Sequence, residues 1–128
     1  MMRKTLGRFA VVTAAMALGL GSVVTTATAR PATPACGSAL NTIDGIAAQA
    51  QQAISYRDKG NAAVGLTDAA QLSYAAPCFT EELQDLLRGA ASRFNDAAGT
   101  LYYDNWDDAY ASAAAGRGLI WQAQDANH

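Results

Sequence analysis

The chain has one histidine, and it is the final residue, His128. Chain ends usually fray, and a frayed imidazole cannot be held beside a nucleophile. That excludes Ser-His-Asp and Cys-His chemistry together, and histidine-based metal catalysis with them. There are two cysteines, Cys36 and Cys78, and without histidines they cannot complete a tetrahedral zinc shell. The sequence has no glycine-rich phosphate loop, no dinucleotide fingerprint and no internal repeat. Arg57, Arg88, Arg93 and Arg117 are scattered and form no stripe, which argues against nucleic acid and anionic membrane surfaces as partners. With the usual catalytic constellations missing, the balance is against an enzyme, and no metal or organic cofactor is expected.

Long apolar runs are also missing, with one exception. Phe9 to Val24 is broken only by Thr13 and Ser22. A basic stretch with Arg3, Lys4 and Arg8 precedes it, and Ala27-Thr28-Ala29 follows. This order predicts a signal peptide over residues 1–29, cleaved after Ala29. The run is shorter than the roughly 20 residues of a spanning helix, so no membrane anchor is expected after cleavage. Arg3-Lys4 is not a twin arginine, which favours the general secretory route. Thr33-Pro34-Ala35 before Cys36 does not suit lipidation. The product would be a secreted protein starting at Arg30. The alanine-rich, lysine-poor composition is that of a GC-rich bacterial genome.

Removing the segment changes the composition. All the methionines go with it, and so do three of the nine basic residues, leaving six against eleven acidic ones and a net charge of about −5. Outside the cell the two cysteines should form a Cys36–Cys78 disulfide. A loop of that length is worth about 4 kcal/mol in the chain-entropy treatment.

The remaining chain reads as helical. Residues 30–37, with Pro31 and Pro34, form an extended leader. Ser38 is a candidate N-cap, and Leu40, Ile43, Ala47, Ala50 and Ile54 recur at helical spacing. Gly60 is a candidate terminator and Asn61 a cap for a second helix ending near Ala75, before Pro77. Thr80 caps a third helix, with Glu81 and Glu82 in its first turn and a stripe of Leu83, Leu86, Leu87, Ala90, Phe94 and Ala97 that Gly99 should stop. A last segment starts at Thr100 or Asn105, with Gly116 and Gly118 as possible breaks. Period-two alternation is absent and β-branched residues are sparse beyond residue 29. The expectation is all-α: a single domain over residues 38–128, a small bundle of three to four helices. The first two helices should form a hairpin, its open end stapled by the disulfide.

The segment Leu101–Tyr110 is the most unusual. It holds Tyr102, Tyr103, Trp106 and Tyr110 beside Asp104, Asp107 and Asp108. Two readings stand. Aromatics at helical spacing commonly pack inward, and the aspartates would then only favour a helix start. Alternatively, Tyr103, Trp106, Tyr110 and Trp121, with Asp107 and Asp108, form a binding surface for a protein, an envelope component or a small ligand. Calcium is disfavoured because the oxygen spacing is not that of an EF-hand loop. Tyrosine-ligated haem through Tyr56, Tyr74, Tyr102, Tyr103 or Tyr110 lacks a supporting histidine. A carboxylate hydrolase would need Glu82 or Asp85 to face Asp107 or Asp108 across a cleft. The leading expectation is thus a secreted binding module. A small extracellular hydrolase, or an inhibitor or immunity-type protein acting on a secreted enzyme, are the alternatives.

Overall fold

A computed structural model describes residues 33–127. Residues 1–29, expected to be a signal peptide, the first residues of the expected leader and His128 lie outside the described residues. The rest forms four helices, α1 (Pro34–Ser55), α2 (Lys59–Ala75), α3 (Glu81–Tyr102) and α4 (Trp106–Ala126), with no strand among the described residues. Short connections make successive helices antiparallel. Each packs on its chain neighbour, and α4 packs back on α1 to close the ring. No helix among them is long and apolar enough to cross a membrane.

Half of the buried apolar residues are alanine. Leu40, Ile43, Ile54, Leu66, Phe94, Leu101 and Ile120 are its large fully buried apolar chains, and Ala47, Ala62, Ala90, Ala97, Ala113 and Ala123 fill the rest. Small side chains let the helices approach closely. Gly116 shows how tight this is: a Cβ there would lie 2.5 Å from Cε1 of Phe94. The glycine does not break α4; it is the socket for the one fully buried ring among the described residues. Ser73 is buried yet satisfied, its hydroxyl donating to the Ala69 carbonyl at 2.7 Å.

Three boundaries differ from expectation. α1 begins at Pro34 rather than Ser38, so residues 34–37 of the expected extended leader are helical. Proline suits the first helical position because its missing N–H would have no intrahelical partner there. Between α1 and α2, the chain turns at Tyr56–Asp58, not at Gly60. Asp58, not Asn61, caps α2: its carboxylate accepts from the Asn61 backbone N–H at 3.3 Å and from Asn61 Nδ2 at 2.6 Å. α3 continues through Gly99 to Tyr102 because Leu101 extends the buried stripe by another turn. The Thr80 cap of α3 is as expected, accepting from Leu83 N–H at 3.1 Å.

The disulfide is present. Cys36 and Cys78 are joined with a Cα separation of 5.0 Å, and both are buried. It ties the first turn of α1 to the connection after α2. α1 has 22 residues and α2 has 17, a mismatch of about 7 Å at 1.5 Å per residue; Ala76 to Cys78 span it. The Asn127 side chain closes the same end, accepting from Thr33 N–H and donating to Thr33 O, each at 3.3 Å.

Candidate functional site

Two connections share the opposite end. Residues 56–58 join α1 to α2, and residues 103–105 join α3 to α4. They are built alike. Each helix ends on a tyrosine, Tyr56 or Tyr103. The next residue, Arg57 or Asp104, takes left-handed backbone, with φ of 59° and 60°. The third, Asp58 or Asn105, is the N-cap position of the following helix. The paired hydrogen bonds of a Schellman motif close both turns. Arg57 N–H donates to Ile54 O at 3.0 Å and Asp58 N–H to Ala53 O at 2.8 Å. Asp104 N–H donates to Leu101 O at 2.9 Å and Asn105 N–H to Thr100 O at 3.0 Å. Glycine ordinarily fills the left-handed position; a side chain there costs on the order of 1 kcal/mol.

Those two strained residues hold the loops together. The Arg57 guanidinium lies 5.1 Å over the ring of Trp106, the first residue of α4. Asp104 forms an ion pair with Lys59, the first residue of α2. Each left-handed residue therefore reaches the helix start beside the other loop. Trp106 is half-buried against the core. Asn105 makes no side-chain bond to the α4 backbone; its Nδ2 donates to Asp108 Oδ2 at 2.7 Å.

The tyrosines have no role in the core. Tyr103 is 80% exposed, Tyr56 75% and Tyr102 74%. The rings of Tyr102 and Tyr103 meet edge to face, 5.1 Å between centroids. Packing of these aromatics inward does not occur, because helices spaced by alanine leave no room for them. Asp107 and Asp108 are exposed in the first turn of α4, and Tyr110 is exposed one turn further on.

Trp121 lies elsewhere. It is fifteen positions past Trp106, roughly 22 Å along the helix. There it joins a polar network between α1 and α4. Arg117 donates to Asp44 through Nε at 2.8 Å and Nη2 at 3.3 Å, and through Nη1 to Gln51 Oε1 at 2.8 Å. Trp121 Nε1 donates to Asp44 Oδ1 at 3.0 Å, and its ring lies 5.1 Å from the Arg117 guanidinium. With Arg117 and Asp44 largely covered, this network fixes the register of α4 on α1. So the structure groups Tyr103, Trp106, Asp107, Asp108 and Tyr110, and separates Trp121 from them.

Sequence reasoning did not place Tyr56 and Arg57 with the Leu101–Tyr110 segment, and did not single out Asp44 or Gln51. A signal for the first two exists: Tyr56-Arg57-Asp58 and Tyr103-Asp104-Asn105 share the order tyrosine, charged residue, Asx. The carboxylate pairing that a hydrolase would need is not formed. Glu82 and Asp85 lie in the first turns of α3, at the disulfide end, on the order of 25 Å from Asp107 and Asp108. Among the described residues, no group of three or more histidine, cysteine or acidic side chains could hold a metal ion. Comparison with family models, with curated proteins and with solved structures finds no match to this chain.

Proposed function

We propose that the chain is an exported, non-enzymatic binding module that engages a partner protein through its loop end. One observation carries the reading: Tyr56 and Tyr103 stand at equivalent positions of two loops, largely exposed, each followed by a residue in left-handed backbone. Tyrosine offers large contact area at low entropic cost, and anchors held by rigid supports bind with little ordering penalty. Protruding side chains insert into a partner rather than enclose a ligand, which favours a protein over a small molecule or an envelope polymer. The same two loops and the helix starts beside them carry the exposed carboxylates of Asp58, Asp104, Asp107 and Asp108 against the basic Arg57 and Lys59. That excess gives weight to a second reading, an inhibitor or immunity-type protein whose acidic tip occupies a basic cleft in a secreted enzyme.

A photo-crosslinking amino acid at position 103, with a control at the exposed Gln122 on α4, tests the proposal in culture supernatant. A partner trapped from position 103 alone, and lost in a Tyr56→Ala/Tyr102→Ala background that keeps its melting temperature, is the expected result. Equal trapping from both positions would sink it.

A further inference from the structure

α1 and α2 meet through small residues. A Cβ on Gly65 would lie 3.0 Å from the Cβ of Ala50, so the two helices touch nearly backbone to backbone. On the outer side of this seam the surface opens into a groove of about 560 Å³. Ile46, Ala50, Ala53, Val64 and Gly65 give it an apolar lining, and Tyr56 borders it. Asp58 and Asp68 line it, and no lysine or arginine does. Asp68 is exposed and has no ion-pair partner among the described residues.

Spacing and charge specify what would fit. Asp58 and Asp68 are ten positions apart along α2, about 15 Å. The groove is also lined by the small residues Ala50, Ala53 and Gly65 and by the side-chain amides of Gln49, Gln52 and Asn61. A ligand matching this pattern is linear, cationic at both ends and methylene-rich in the middle. A tetra-amine has that length, its terminal ammonium groups meeting the two carboxylates and its inner ones the amide oxygens of Gln49, Gln52 and Asn61, while its methylenes lie on the alanine methyl groups. Tyr56 can face an ammonium with its ring. Across residues 33–127, eleven acidic side chains against five basic ones add a long-range attraction for cations. We infer that the α1–α2 groove is a binding site for a linear aliphatic polyamine.

The inference does not depend on the loop-end proposal, although Tyr56 borders both surfaces. Titration of the purified protein with spermine at low ionic strength, followed by calorimetry and by amide shifts, tests it. The expected result is saturable binding with shifts confined to Ala50, Ala53, Tyr56, Gly65 and their neighbours. Asp58→Asn/Asp68→Asn should weaken binding about tenfold, the combined worth of two partly screened ion pairs. Asparagine keeps the α2 cap, so the fold is preserved. Ala53→Leu, which fills the groove and leaves every charge in place, should abolish binding. Tyr103→Ala, which impairs only the loop-end contact, should leave it unchanged and so separates the two proposals. The inference is overturned by absence of saturable binding, by shifts spread over the acidic surface as a whole, by unchanged affinity in the Asn or Leu variants, or by hexalysine or magnesium ions binding as tightly as spermine.

Discussion

At one end of the bundle a covalent bond is buried; at the other, two exposed loops hold each other through side chains. The Cys36–Cys78 bridge sits inside the core, flanked by the Asn127–Thr33 hydrogen bonds. The loop end relies on Arg57 over Trp106 and on Lys59 with Asp104, contacts open to water. Exposed pairs of this kind are worth at most about 1 kcal/mol each. The disulfide end is therefore where the hairpin is secured, and the loop end is free to carry aromatic rings that the core cannot hold. An alanine-built bundle separates the two tasks because it has no interior space for its tyrosines.

The comparison breaks most visibly at the disulfide. Replacing Cys36 and Cys78 by serine should lower unfolding free energy by about 4 kcal/mol, read as a drop in urea midpoint. In native-state hydrogen exchange, amides of the first α1 turns should lose protection ahead of those near Tyr56 and Tyr103. Equal loss at both ends would mean that the bridge acts on the whole domain and not on its own end.

Between the two ends, the Phe94–Gly116 contact should give the next largest effect. Gly116→Ala puts a methyl group 2.5 Å from the Phe94 ring, an overpacking that should cost about 2 kcal/mol. Combining it with Phe94→Leu should recover part of that loss, since the smaller side chain vacates the space. A Gly116→Ala protein as stable as wild type, from the gain in helix propensity alone, would show that the ring moves freely.

The same contrast explains what the sequence revealed. The helical periods of Leu40 to Ile54 and of Leu83 to Ala97, the Thr80 cap and the disulfide pairing were readable because each depends on local spacing or on hairpin topology. The turn at Arg57 was not. Gly60 was the natural terminator, yet Asp58 caps α2 strongly enough to start it three residues earlier than an Asn61 cap would, and Arg57 takes the left-handed position instead. Gly116 read as a break because a partner on another helix cannot be seen from local pattern. The site was half legible. Tyr103 to Tyr110 stood out by composition, but their exposure depends on how closely alanine faces bring helices together. The separation of Trp121 depends on Asp44, which lies off the apolar stripe of α1 and gives no local sign of a partner on α4.

The smallest expected effect probes the loop end directly. Asparagine at position 104 keeps the shape of the side chain and tolerates left-handed backbone well, so Asp104→Asn removes the charge and little else. The Lys59–Asp104 pair is exposed, with side-chain accessibilities of 44% and 65%, and its loss should lower stability by less than about 0.5 kcal/mol at low ionic strength. At about 1 M salt, where the screening length falls to roughly 3 Å, wild type and variant should become indistinguishable. The stability change is the minor readout. If the reciprocal contacts position the tyrosines, Asp104→Asn should also quicken amide exchange at residues 56–58 and 103–106 while leaving the Cys36 end unaltered. Faster exchange confined to 103–106 would mean that the two loops are independent structures that share an end of the bundle. In that case the preorganisation attributed to Tyr56 must come from its own Schellman turn alone.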